Sequence, residues 1–227
     1  MSPEQAWVKA NAEESALKCL KALKRNNLNG HYFSNQKEAL EHILANIPPD
    51  VTVGFGDSET VYQIGLPGAL HDRGHKLISP FWTDDPHTYV LPGAKKALQV
   101  GRDALFADFF IAGINAITLD GKILNTDAFG NRLAGIIFGP RKVILVAGTN
   151  KIVTNVEEAI ERIRKVASPL NALRHRVEHG MESGLPCALT GECVDCDSCG
   201  ACCFTLIIEQ QLYARIEVVL IGEKLGL

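Results

Sequence analysis

The sequence predicts an α/β fold built on a parallel sheet, and three observations carry that prediction. Asp108–Gly113 and Lys142–Ala147 are apolar at almost every position, the pattern of strands covered on both faces. Val51-Thr52-Val53 is a β-branched run followed at once by the turn Gly54-Phe55-Gly56-Asp57-Ser58-Glu59-Thr60 and a helix-like stretch from Val61, a strand–turn–helix unit. Segments of helical period separate these strands from one another. With 227 residues, 46% of them hydrophobic, the chain can bury a full core without a staple.

The elements follow in order. Ser2-Pro3-Glu4 is a helix start, with Ser at the cap and Pro in the first turn. That helix is expected to run to about Asn26, with Leu17, Leu20 and Leu23 as its apolar stripe, and Asn29-Gly30 to end it. Cys19, alone on this helix, reads as a small core hydrophobe. Ser34 caps a second helix bearing Ala39, Leu40, Ile43, Leu44 and Ile47, which Pro48-Pro49 stops. Residues 1–47 thus form a helical N-terminal part.

Lys76–Ile78 is a short strand, and Pro80–Pro92, with Trp82, Asp84, Asp85 and His87, reads as an exposed loop. Ala94–Leu105 has a helical pattern. Beyond Gly113, Asn115–Thr118 continues the strand, Asp120-Gly121 turns the chain, and Ile123-Leu124 returns it. Leu133–Phe138 is a short helix ended by Gly139-Pro140. Asn155-Val156-Glu157-Glu158 opens a long helix with Ile160, Ile163 and Val166 inward, and Ser168-Pro169 caps the next. Phe204–Ile208 and Ile216–Ile221 are the last two strands.

Charge and patterning narrow the function. The net charge is −3 and no basic block exists, which argues against nucleic acid as a partner. Residues Met1–Trp7 hold no basic stretch leading into an apolar one, and no run of about 18 apolar residues occurs anywhere. The expectation is a cytoplasmic protein with no membrane span, in which thiols stay reduced.

In open α/β sheets ligands sit beyond the carboxyl ends of the strands. Gly54, Gly56, Asp57 and Ser58 occupy one such turn, which can aim backbone N–H groups at an anion or serve simply as a tight turn with Asp57 or Ser58 as helix cap. Asn115, Asn125, Asp127, Asn131, Arg132, Asn150 and Lys151 all stand at or after strand ends. Arg132 and Lys151 suit a phosphate or carboxylate, so a small anionic metabolite is the expected ligand, with Asp127 as candidate acid/base group. Several of these Asn and Asp residues equally suit turn and helix capping. His175 and His179, with Glu178 between them, share a helix face; exposed helix-end histidines are the preferred reading over a metal pair.

Six of the seven cysteines fall between Cys187 and Cys203, and Cys193, Cys196, Cys199 and Cys202 recur at every third position. C-x-x-C spacing lets thiolates converge on one soft centre. An iron–sulfur cluster is the leading reading and structural zinc the second, with unliganded or redox-reactive thiols and, last, a disulfide framework below them.

The motifs Asn115-Ala-Ile-Thr-x-Asp120-Gly121, Asn125-x-Asp127-x-x-Gly130-Asn131-Arg132, Gly139-Pro140-x-Lys142-Val-Ile and Asn150-Lys151-Ile-Val resemble those of the LUD (lactate utilisation) family, which includes the lactate-utilisation protein C type. The resemblance extends over most of the chain. It implies one LUD-like domain over residues 1–227, with the three-layer α/β/α fold shared with sugar-phosphate isomerases and CoA transferases. A cysteine-rich loop, residues 181–203, is inserted before the last strands. Pro186-Cys187-Ala-Leu-Thr190-Gly191-Glu-Cys193-Val-Asp195-Cys196 is similar to the segment of a cysteine-bearing subgroup, and the sequence departs from it afterwards. Cys187, Cys193, Cys196 and Cys202 are the expected metal ligands, with Cys203 and Cys199 as alternates for the fourth.

Three functions follow from these readings. The first is a [4Fe–4S] protein exchanging electrons with a redox partner protein in oxidation of lactate or a related 2-hydroxy acid, as the resemblance implies. The second is a transferase- or isomerase-like enzyme acting on a phosphate or carboxylate ligand. The third is a zinc-stabilised metabolite-binding protein. The fold relatives also suggest a homodimer.

Overall fold

The computed structural model describes residues 2–80, 94–179, 185–194 and 200–227. The main sheet has six strands: β1 (Asn29–Phe33), β2 (Thr52–Phe55), β3 (Lys76–Ile78), β4 (Phe109–Gly113), β7 (Lys142–Gly148) and β10 (Ile216–Ile221), in the order β1-β10-β7-β4-β2-β3. Every pairing in it is parallel. A second sheet, ordered β8-β5-β6-β9, joins β5 (Ala116–Thr118), β6 (Ile123–Asp127), β8 (Ile152–Val153) and β9 (Phe204–Ile208).

The alternation of side chains along each central strand explains why both its faces must be covered. On β7, Val143, Leu145 and Ala147 enter one core, and Ile144 and Val146 enter the other. On β10, Ile216, Val218 and Leu220 go to the first core, Val219 and Ile221 to the second. The first core is closed by α2 (Ala12–Arg25) through Ala16, Cys19 and Leu23. The second is closed by α3 (Gln36–Asn46) through Ala39, Ile43 and Leu44, and by α4 (Glu59–Gln63) and α5 (Leu66–Asp72) through Val61, Leu66 and Leu70.

Several expectations need correction. The first helix is two, α1 (Pro3–Ala10) and α2, broken at Asn11. Leu17 faces outward, because α2 turns Ser15, Ala16, Cys19, Ala22 and Leu23 inward. Asn29-Gly30 opens a strand, so residues 1–47 are not wholly helical. β1 lies at the sheet edge and pairs only with β10, so it needs no long apolar run. Asn35, not Ser34, caps α3 by accepting from the Glu38 N–H at 3.0 Å. Ile160 and Val166 are over one-third exposed, while Ala159 and Ile163 carry the inner face. The expected continuation after Gly113 enters the second sheet, and the last two strands separate, β9 to the second sheet and β10 to the middle of the first. Of the loop Pro80–Pro92, residues beyond Pro80 lie outside the described ones.

Cys19 is the core hydrophobe expected. It is fully buried, its thiol donates to the Thr118 carbonyl at 3.1 Å, and burial first, then the Asp120 charge, push its pKa up to about 12. Among the described residues no helix is long and apolar enough to cross a membrane.

Candidate functional site

The parallel strands β2, β4 and β7 deliver the Asp57, Gly113–Asn115 and Lys151 segments to the same edge of the sheet. From the second sheet, β6 brings Thr126 and Asp127, followed by α7 (Asn131–Ile137). α9 (Ser168–His179) lies across the opening. Together they enclose a cavity of about 230 Å³ lined by Asp57, Ser58, Asn115, Asp127, Arg132, Lys151 and His175, among others.

Seven of the expected ligand residues therefore meet: Asp57, Ser58, Asn115, Asp127, Asn131, Arg132 and Lys151. Four do not line the cavity. Gly54 lies within β2, where an added Cβ would stand 2.7 Å from the Ala104 carbonyl oxygen; it is a packing glycine. Gly56 lets the Arg132 stem cross it, since a Cβ there would lie 2.6 Å from Arg132 Cγ. Asn150 accepts from the Leu225 N–H at 3.1 Å and holds the C-terminal segment. Asn125 is fully buried behind the wall, accepts from the Asn115 N–H at 3.0 Å, and leaves its Nδ2 without a partner among the described residues. Ser58 is the cap of α4, accepting from the Val61 N–H at 3.3 Å, and α4 is only 5 residues long.

Arg132 is aimed by acceptors around it. Its guanidinium donates to Asn125 Oδ1 and Asn115 Oδ1, both at 3.4 Å, and to the Thr126 carbonyl. Asp127 is engaged at both oxygens by the Ala128 and Arg132 backbone N–H groups, at 2.9 and 3.0 Å. Its carboxylate thus fixes the β6–α7 turn that presents Arg132, which makes it a weak candidate for proton transfer.

The strongest electrostatic feature is one that sequence reasoning missed. Arg174, almost fully buried, donates to Glu59 Oε2 at 2.9 Å, to Asn171 Oδ1 at 3.0 Å, and to Asp57 Oδ2. His175 Nε2 is 2.9 Å from the same Asp57 oxygen. Burial alone would raise the Asp57 carboxyl, but the His175 hydrogen bond, the Arg174 charge, and the His175 and Arg132 charges outweigh it and hold it at about 2. Asp57 Oδ1 is buried and has no hydrogen-bond partner among the described residues. Asn171, Arg174 and His175 stand three and four residues apart, so their shared helix face was the signal available in the sequence. His175 is mostly buried rather than an exposed helix-end residue; the side chain of His179 lies outside the described ones.

Opposite this group, the buried Lys151 donates to Thr60 Oγ1 at 2.8 Å. Burial first, then the Arg162 and Arg132 charges, lower its pKa to about 7 against the pull of Glu59. Arg162, also unforeseen, braces the floor by donating to the Asn115 carbonyl at 2.6 Å and the Leu227 carbonyl at 3.1 Å.

The cysteine segment borders this cavity: Leu185, two residues before Cys187, and Gly200–Ala201, between Cys199 and Cys202, belong to the lining. Helix α10 (Pro186–Thr190) carries half-buried Cys187 and ends at the left-handed Gly191. Cys193 and Cys202 are exposed, Cys202 as a free thiol, and Cys203 is disulfide-bonded. Cys196 and Cys199 lie outside the described residues, as do residues 181–184 of the expected loop. Among the described residues no three cysteine sulfurs lie within 4.8 Å of one another, whereas a closed tetrahedral zinc site holds its sulfurs roughly 3.8 Å apart.

Comparison with solved structures gives a DUF162-family protein from Deinococcus radiodurans, at 11% identity and a TM-score of 0.52, covering 93% of this chain and 98% of that one. The likeness is one of fold. A 5-methylthioribose 1-phosphate isomerase from Pyrococcus horikoshii OT3 is more distant, at 14% identity and a TM-score of 0.36 over 74% of this chain and 50% of its own. Comparison with curated proteins gives no match. The model of the LUD domain matches residues 17–221, and it spans both sheets, the cavity and the cysteine segment: the chain belongs to the LUD domain family.

Proposed function

We propose that this LUD-family protein binds a small carboxylate of the 2-hydroxy acid class in the crevice and takes part in its oxidation, with a [4Fe–4S] cluster on the cysteine segment. The observation that carries the reading is the meeting, in one cavity, of two cations and an Asp–His pair: Lys151 and Arg132 against Asp57 and His175. The cations would neutralise the carboxylate. Asp57 orients the His175 imidazole, which would take the proton of the substrate hydroxyl, while the hydride from the α-carbon would go to a two-electron acceptor carried by the partner protein, since a cluster takes one electron at a time. The family's name, and a donor set of thiols closely spaced in the sequence, support a redox role. Cys187, Cys193, Cys196 and Cys202 would hold the cluster; Cys203, already committed to a disulfide, is the poorer fourth ligand. When bound, the cluster supplies single-electron exchange with a partner protein.

The test is anaerobic purification followed by visible and electron paramagnetic resonance spectroscopy, with calorimetry of lactate and other 2-hydroxy acids. A brown, reducible protein whose ligand affinity depends on Arg132 supports the reading. A colourless protein with stoichiometric zinc replaces it with a zinc-stabilised binding protein.

A second reading has its own observation. An amine with a pKa of about 7 is substantially neutral at physiological pH and can attack a carbonyl, as transferase- or isomerase-like chemistry on a carboxylate or phosphate ligand would use. Borohydride trapping of a carbonyl substrate on Lys151, with turnover that survives replacement of Cys193 and Cys196, would favour it.

A further inference from the structure

A second cluster lies on the first and last strands of the main sheet. His31 on β1, His42 on α3 and Glu217 on β10 converge from three separate elements. One ligand atom from each lies within 4.8 Å of the other two. The register explains the convergence: Asn29 pairs with Glu217, so His31, two residues on, projects to the same face, where α3 packs.

We infer that these three residues bind a divalent transition-metal ion such as zinc. Two imidazoles and a carboxylate are a three-ligand set that leaves positions open for water or a further ligand. Glu217 Oε1 is 2.9 Å from His42 Nε2 and 3.9 Å from His31 Nε2. A tetrahedral zinc spaces its nitrogen and oxygen ligands about 3.3 Å apart, so the two observed distances bracket the required one. A plain His–Glu hydrogen bond accounts for His42 but not for the His31 side chain, which at 3.9 Å from Glu217 makes no hydrogen bond with it. Yet the two imidazole centroids stand 4.5 Å apart over one carboxylate. Among the described residues Glu217 has no lysine or arginine partner, so only the two histidines answer its charge. The Phe33 ring, centred 4.8 Å from His42, closes one side of the group, and half-exposed His31 leaves the other open. Asn46 Nδ2 donates to the His42 carbonyl at 2.9 Å and stands 3.4 Å from both ring nitrogens of His42.

None of the three residues lines the crevice, and Glu217 lies near the start of β10, whereas the crevice opens beyond the carboxyl ends of the strands. An ion here would tie edge strand β1 to β10 and α3. The site is independent of the cysteine segment and of the proposed redox role.

The test is a zinc titration of the full chain after removal of metal by a chelator. Two readouts are needed because the cysteines can also take up zinc: zinc retained per chain, and the imidazole signals of His31 and His42 in histidine-labelled protein. One equivalent is expected to shift both imidazole signals. His42→Ala and Glu217→Gln should each retain one zinc fewer than the wild type, with affinity at this site falling at least about 100-fold. Cys202→Ser should leave the histidine shifts intact. Should His42→Ala fail to fold, Glu217→Gln and the half-exposed His31→Ala carry the same comparison. Imidazole signals that stay unmoved, or variants that retain all the zinc, overturn the proposal.

Discussion

The crevice and the cysteine segment place their functional groups in opposite ways. In the crevice Asp57 and Glu59 come from one turn and Arg132, Lys151 and Arg174 from three other elements, and they are held by one another, by the Thr60 hydroxyl and by backbone groups. In the cysteine segment the reactive groups are neighbours in sequence, and Cys193 and Cys202 are exposed rather than packed. The difference implies that the crevice is part of what stabilises the fold, whereas the cysteine segment can change its chemistry with little effect on the core. Buried charges need their partners; exposed thiols do not.

Substitutions can break or sharpen that contrast. The largest effect is expected at Arg174. Arg174→Ala would leave Asp57 and Glu59 without their shared buried cation, at a cost of about 3–5 kcal/mol read from urea unfolding. A variant as stable as the wild type would make this network dispensable to the fold. Next comes Lys151→Met, which removes a charge without removing bulk. It should weaken binding of a carboxylate ligand about 10–100-fold, measured by calorimetry. The wild-type affinity should fall as pH rises through about 7, where the amine loses its proton, and the variant should not show that fall.

Asp57 gives a third, pH-resolved test. Its folded pKa of about 2 lies below its ordinary 3.8. Its contribution is therefore complete above pH 3.8 and is lost as pH falls through the folded value. About 2 kcal/mol of the acid-side decline in stability should disappear in Asp57→Asn, seen in unfolding curves between pH 2 and 5. The smallest effect on stability belongs to the other region. Cys202→Ser should shift unfolding of the metal-free protein by no more than about 0.5 kcal/mol while abolishing or altering the visible absorption of the anaerobic protein. A large loss of stability there would show that the segment is packed into the fold after all.

Much of the architecture was legible. Runs apolar on both faces marked β4 and β7, and the hairpin turn at Asp120-Gly121 was readable from two residues. β1 was not, because an edge strand with polar side chains carries no periodic signal. The crevice was half legible. Arg132 and Lys151 could be found by their place after strands, but Gly54, Gly56 and Asn150 proved to be packing and bracing residues. Arg174 and His175 escaped because nothing local distinguishes them from other polar residues of an amphipathic helix. Their role depends on α9 crossing the mouth of the sheet above Asp57.

By itself the sequence determined the α/β class, the covered strands, the cationic side of the crevice and the clustering of the cysteines. Each is written in local spacing or in periodic burial, which short-range sterics and hydrophobicity impose. Only the tertiary structure decided that Asp57, Glu59, Arg174 and His175 form one network, that Lys151 is buried enough to approach neutrality, and that His31 and His42 share Glu217. Those facts rest on distances between residues far apart in the chain. Burial and Coulomb energies depend on such distances, and no sequence spacing encodes them.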